Sequence, residues 1–347
     1  MGNQAVLLLA HGTPETVEQI PEYLRNVVSG RPLPQAVIEE IQHRYALIGR
    51  SPLTELTLEQ GRMVEALLAE AGEAVRVYVG MRNWRPYIAD VVKRMRTDGV
   101  TEVAAICLAP QNSRTSVGLY RRAALAEAAG MRVDFTEDWA EEPLLADAFA
   151  DRLRVALDQV KAETGERAQV LFTAHSVPCR TIQVPAVSAD QPILWPTLKQ
   201  DAEGAPSVDP YPVEAKTTAA LVAARVPEAA GWCFAFQSQG ASGGPWIGPS
   251  VEATLDAMAV RGVKAVVLQP IGFLCDHVEI LYDIDIAFRE YAANLGMTLT
   301  RPESLNGSPI LTKALVKLAR ASFARLDAGS STVFSGVYET KGRARIS

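Results

Sequence analysis

Eight short runs that are apolar at almost every position, set between longer segments of helical periodicity, constrain this chain more than any other feature. They fall at residues 5–10, 75–79, 103–109, 131–136, 170–174, 232–236, 265–269 and 297–300. A strand with one wet face alternates apolar and polar residues. Strands that do not alternate belong to parallel sheets covered on both faces. The fold class is therefore α/β, with four strands in each half.

The halves repeat one another. Ala10-His11-Gly12-Thr13-Pro14 after the first run parallels Ala174-His175-Ser176-Val177-Pro178 after the fifth, 164 residues on; Gly99-Val100 parallels Gly262-Val263 at 163, and Pro143-Leu144-Leu145 parallels Pro309-Ile310-Leu311 at 166. A nearly constant offset indicates one α/β unit used twice. The expected organisation is an N-terminal half over 1–160, a C-terminal half over 165–310 with a proline-rich excursion at 181–208, and a C-terminal helix and tail over 311–347. Helix stops agree: Ile88, Val91, Val92 and Met95 precede Gly99, and Ser250 can cap a helix carrying Val251, Leu255 and Met258 before Gly262. In open sheets of this kind ligands bind at the carboxyl ends of the strands. Three of the four histidines, His11, His175 and His277, stand at or after such ends. A cleft between the halves with a histidine on each wall follows.

Composition removes several classes. With 34 Lys and Arg against 40 Asp and Glu, net −6, the chain lacks the basic excess that replaces counterions on nucleic acid. No apolar stretch reaches the roughly 20 residues of a membrane span, and the first apolar run lacks a basic flank and cleavage site. A cytoplasmic location is expected. Cys107, Cys179, Cys233 and Cys275 are scattered with no C-x-x-C pair, so neither a disulfide framework nor a zinc or iron–sulfur site is signalled. Gly240, Gly243 and Gly244 lack nucleotide-fingerprint spacing, and Ser176 directly after His175 is not a nucleophile–base pair.

Chemistry concentrates in Asp276-His277-Val278-Glu279-Ile280-Leu281-Tyr282-Asp283-Ile284-Asp285. On a helix Glu279 and Asp283 share one face, with Asp276 one turn earlier. Such a row is either a solvated acidic helix start meeting the positive end of the helix dipole, or a set of carboxylates that attracts a divalent cation. Histidine with carboxylate suits a borderline cation such as Fe²⁺, Co²⁺ or Zn²⁺. His175 and Glu279, at neighbouring strand ends of one half, favour the second reading.

These residues sit within motifs that closely resemble the ferrochelatases from about residue 5 to residue 320: Leu9-Ala10-His11-Gly12-Thr13-Pro14, Arg44-Tyr45, Ser51-Pro52-Leu53, Gly80-Met81-Arg82-x-Trp84-x-Pro86, Ala174-His175-Ser176-x-Pro178, Asp209-Pro210-Tyr211-Pro212, Phe236-Gln237-Ser238, Trp246-x-Gly248-Pro249, His277-x-Glu279-x-Leu281-Tyr282-Asp283-x-Asp285 and Leu305-Asn306-x-Ser308-Pro309, in family order. The resemblance implies two similar flavodoxin-like halves with a porphyrin between them, and an enzyme that inserts Fe²⁺ into coproporphyrin III or protoporphyrin IX in haem synthesis. It implies that His175 and Glu279 bind the metal, accept the pyrrole protons, or both, that Asp283 extends the acidic path, and that Arg44, Tyr45, Ser51 and Tyr120 meet propionates. Coproporphyrin-type members usually carry tyrosine at the position of His11, so the resemblance excludes axial ligation by a phenolate at this position and leaves ligation by an imidazole open. Three departures stand out. Ala287 interrupts the acidic row, the chain after Gly49 is one residue shorter, and the 181–208 excursion has no counterpart. Ferrous iron and a porphyrin are the expected partners, with no organic cofactor, no iron–sulfur cluster and no nucleic acid. Room remains for peripheral membrane contact and for a monomer or small homo-oligomer. Another tetrapyrrole chelatase, for cobalt or sirohydrochlorin, and a non-catalytic porphyrin or haem carrier are the alternative functions.

Overall fold

The computed structural model describes residues 3–113, 116–179, 209–239 and 245–329, and the backbone of 332–333. The 181–208 excursion and the glycines at 240, 243 and 244 lie outside the described residues. The first sheet holds β1 (Gln4–Ala10), β2 (Arg76–Met81), β3 (Glu102–Cys107) and β4 (Arg132–Thr136); the second holds β5 (Gln169–His175), β6 (Cys233–Gln237), β7 (Ala265–Pro270) and β8 (Thr298–Thr300). Their orders, β2-β1-β3-β4 and β6-β5-β7-β8, are the same topology twice, all parallel. All eight apolar runs form strands, because Val, Ile and Leu fill both faces of each sheet.

The first sheet departs from four strands. A two-residue strand, β9 (Thr332–Val333), pairs antiparallel with β4. The chain arrives there from the C-terminal helix, so a segment that follows the second half closes an edge of the first.

Between strands run α1 (Ile20–Val27), α2 (Gln35–Ile48), α3 (Leu53–Glu70), α4 (Ile88–Thr97), α5 (Val117–Ala126) and α6 (Pro143–Thr164). In the second half follow α7 (Tyr211–Ala223), α8 (Val251–Val260), α9 (Val278–Leu281), a π-wound turn at Asp283–Phe288, α10 (Arg289–Asn294) and α11 (Pro309–Asp327). Helix ends obey local chemistry. Ser250 Oγ accepts from the Ala253 amide at the start of α8, and Ser308 Oγ accepts from Leu311 at the start of α11. None of the described helices is long and apolar enough to cross a membrane.

The largest apolar core belongs to both halves. Val6, Leu8 and Ile106 of the first sheet and Phe172 and Val267 of the second share it with α6, α7 and α11. The remaining sheet faces carry smaller cores under α4 and α5 and under α8 and α10. A fourth cluster, Ile20, Tyr23, Leu24, Tyr45 and Trp84, packs α1 and α2 over the carboxyl end of β2, with Val278 of the second half against it. Both sheets thus turn the same kind of edge toward a common space.

Candidate functional site

A cavity of about 370 Å³ opens between the carboxyl ends of the two sheets, lined by His11, Tyr23 and Arg82 from the first half and His175, His277 and Glu279 from the second. That volume is within the range of small-molecule sites. Each of the three strand-end histidines reaches it.

His11 follows β1 directly. The chain must turn at Gly12, where φ is +77° and a Cβ would lie 2.7 Å from Met81 Cβ, so only glycine lets β1 end this close to β2. The His11 Nε2 stands 2.8 Å from the Tyr23 hydroxyl, and the Asn83 amide lies 3.2 Å from Nδ1 and 3.1 Å from Nε2. Burial, together with the positive Arg82 nearby and against the pull of Glu279, lowers its pKa to about 4. His11 is a neutral imidazole. Tyr23, from α1, places a phenol hydroxyl beside the imidazole on this face. Burial holds the Tyr23 hydroxyl well above its usual range, so it stays protonated.

On the opposite wall His175 ends β5, and the Tyr211 hydroxyl donates to its carbonyl at 2.9 Å. Its Nδ1 faces the Ser176 carbonyl, and its Nε2 is 3.2 Å from Glu279 Oε1. His277 repeats the pattern, with Nδ1 3.0 Å from the Cys275 carbonyl and Nε2 3.3 Å from Glu279 Oε2. A carbonyl can only accept, so both Nδ1 atoms carry protons and both Nε2 atoms are the variable ones. Burial opposes charge on His175, but the adjacent Glu279 outweighs it and raises the pKa above 6.5. Burial likewise opposes charge on Glu279, and the two imidazoles override it, holding the carboxyl well below its usual range.

The acidic row divides at this point. Gln237, braced by Thr173 at 2.6 Å, donates to the Glu279 carbonyl at 3.1 Å, and Glu279 faces the cavity. Asp283 does not line it. One of its oxygens accepts from Ser238 and the other lies 3.4 Å from Arg44 Nη1. Burial and the neighbouring Glu279 raise its pKa to about 6. Asp276 and Asp285 turn away altogether, onto Arg301. The sequence expectation of one helical face fails because residue 277 is extended and regular helix lasts only from Val278 to Leu281 before the π-wound turn.

The expected propionate contacts also separate. Tyr120 lines the cavity, 5% exposed, with the Arg82 guanidinium 5.9 Å from its ring centre. Arg44, Tyr45 and Ser51 do not line it: Arg44 pairs with Glu40 and Asp283 and lies over the Tyr282 ring, Tyr45 is buried beside Tyr23 and Trp84, and Ser51 is buried just before the start of α3. Arg82 is the one guanidinium on the cavity wall among the described residues, and no lysine joins it. Sequence reasoning passed over Arg82, although it follows β2 and the strand-end rule that found the histidines applies to it equally. Tyr23 sits on an amphipathic helix and gave no signal at all. Among the described residues no group of three or more His, Cys, Asp or Glu side chains is placed to hold a metal ion. His175 and Glu279 form a two-donor pair, an arrangement open enough to release a metal as well as bind one.

A sequence model of the family described as Ferrochelatase matches residues 3–323. The chain is 60% identical to a ferrochelatase of Acidobacterium capsulatum over 94% of this chain and 97% of that protein. It is 32% identical to a coproporphyrin III ferrochelatase of Geobacillus kaustophilus, covering 90% of this chain and 94% of that protein. Among solved structures, the sirohydrochlorin chelatase SirB of Bacillus subtilis with cobalt superposes with a TM-score of 0.54 at 12% identity, covering 95% of this chain and 99% of that one. At that identity the likeness is one of fold.

Proposed function

The chain belongs to the ferrochelatase family, enzymes that insert ferrous iron into a porphyrin in haem biosynthesis, and on that premise we propose how its own residues divide the reaction. The observation that carries the proposal is the His175–Glu279 pair, 3.2 Å apart at the cavity wall and facing the side that holds His11.

Insertion exchanges two pyrrole protons for one Fe²⁺, so the wall the metal approaches needs groups that hold either a cation or a proton. The pair meets that need at defined atoms. With Nδ1 of His175 tied to a carbonyl, Nε2 carries either a proton shared with Glu279 or a lone pair offered to iron. Ferrous iron entering between Nε2 and the carboxylate releases the Nε2 proton. When iron passes to the ring, the vacated Nε2 and Glu279 take up protons from the pyrrole nitrogens. Metal and protons thus exchange at one place: the Nε2 proton leaves as iron enters, and the low-pKa Glu279 passes its proton to solvent before the next turnover, so two protons leave for each Fe²⁺ delivered. Asp283 serves as an outer carboxylate that hands cations to Glu279. His11 supports the other ring face, its neutral nitrogen held by Asn83 and Tyr23.

Arg82, with Tyr120 beside it, receives a substrate propionate, since a planar guanidinium matches a carboxylate. Ferrous iron is a substrate in this reading, which calls for no organic cofactor and no iron–sulfur cluster. Substituting alanine for His175 or Glu279 is expected to lower iron insertion at least a hundredfold, while porphyrin binding, read by fluorescence, persists. Turnover at the unsubstituted rate in either variant refutes the assignment. Parallel assays with coproporphyrin III and protoporphyrin IX identify the preferred ring, and Arg82→Met is expected to raise KM for that ring.

A further inference from the structure

We infer that Arg301 is a positioning residue for iron insertion: one guanidinium grips both ends of the segment that carries His277, Glu279 and Asp283. The inference rests on the role given above to Glu279. Arg301 lies just past β8, outside the cavity lining and with its side chain 11% exposed. Its Nε and Nη2 bind the two oxygens of Asp285 at 2.8 and 2.7 Å, a bidentate fork, while Nη1 reaches Asp276 at 3.1 Å and Ser304 at 3.2 Å. Asp276 is held further by the Ser304 hydroxyl at 2.7 Å and by the Asn306 side chain at 2.9 Å, through both its carboxylate and its amide. Gln60, a cavity residue of the first half, donates to the Asn306 carbonyl at 2.8 Å.

The spacing shows what this grip enforces. Residues 276 and 285 are nine apart, about two and a half α-helical turns, so on a continuous helix they would lie on opposite faces. On such a helix Asp276, Glu279 and Asp283 would form one row. A single guanidinium can hold both outer aspartates only if the chain enters extended at His277 and leaves through the π-wound turn. That path draws Asp276 and Asp285 to one side and leaves Glu279 directed at His175. Arg301 is thus matched to the backbone path that presents Glu279.

Arg301→Met and Arg301→Lys test this against the unsubstituted protein, with Glu279→Ala in parallel. Arg301→Met is expected to lower kcat/KM for Fe²⁺ at least tenfold and to weaken Co²⁺ binding to the porphyrin-free protein, with porphyrin affinity held within about twofold. Arg301→Lys keeps the charge but not the fork and is expected to recover part of the loss. Unchanged iron kinetics and Co²⁺ affinity in Arg301→Met overturn the inference, as does an equal loss of porphyrin affinity, which marks a general structural role. If Arg301→Met does not fold, Asp285→Asn carries the test: it halves the grip, and unaltered iron kinetics there overturn the inference too. Full activity in Glu279→Ala would instead sink the reading on which this one stands.

Discussion

Two of the three histidines that face the cavity, His11 and His175, are tuned in opposite directions, and the difference lies in the first neighbour of each. His11 meets an amide donor and a phenol and has no carboxylate in contact, so burial dominates and its pKa falls to about 4. His175 touches Glu279, and its pKa rises. The consequences for stability have opposite signs. The lowered group of His11 contributes stability above pH 6.5 that is lost as pH falls toward about 4. The raised group of His175 contributes stability below pH 6.5 that is lost as pH climbs through its folded value. Imidazole proton resonances followed by NMR from pH 3.5 to 9 are expected to show one histidine titrating near 4, assigned by its absence in His11→Gln, and another above 6.5, absent in His175→Gln. A His11 signal that titrates near 6.5 would contradict its neutral role on the far ring face. Under the proposed mechanism iron uptake should also weaken as pH falls through the raised pKa of His175, because the proton then holds the place proposed for the metal.

At the scale of elements, the sheets were open to reading from sequence and the functional helix was not. Apolar runs identify strands because burial on both faces leaves few positions for polar residues, and the strand-end rule then located His11 and His175. The segment from Asp276 to Asp285 has a helical period, but hydrogen bonds to Arg301, Ser304 and Asn306 decide its path. Those partners lie 16 to 30 residues further along the chain, beyond any local pattern. Arg44 illustrates the same limit. Its motif points to a propionate, yet from α2 it reaches across to Asp283 and covers Tyr282. A guanidinium at the outer carboxylate opposes a metal cation there. Arg44→Met is accordingly expected to tighten Co²⁺ binding several-fold, a gain that Asp283→Asn in the same chain cancels. A raised KM for porphyrin with unaltered Co²⁺ affinity would return Arg44 to the propionate role that its motif suggests.

Across the whole molecule, duplication of the chain and division of the fold do not coincide. The repeat sets one half over residues 1–160 and the other from 165, and the eight parallel strands divide there, while β9 crosses back to the first sheet. The largest core ignores that division. The helix α11 comes after the second half in sequence but packs on α3, α6, β3 and β4 of the first. Lys317, Arg320 and Arg325 of that helix pair with Glu142, Glu73 and Asp134 on the same side. Leu311, Leu315, Val316, Phe323 and Leu326 are buried in the shared core, and losing their burial costs on the order of 10 kcal/mol. That matches the whole net stability of an ordinary domain. A fragment of residues 1–160 is therefore expected to show no cooperative thermal transition, and the intact chain is expected to melt once, with calorimetric and van't Hoff enthalpies equal. Two separable transitions in the intact chain, or a folded 1–160 fragment, would show that each half carries its own core. A single transition has a functional consequence, since a core shared by both sheets fixes the distance between His11 and His175 without a hinge, and under the proposed roles that distance sets how a rigid macrocycle is held between the His11 imidazole and the His175 metal donor.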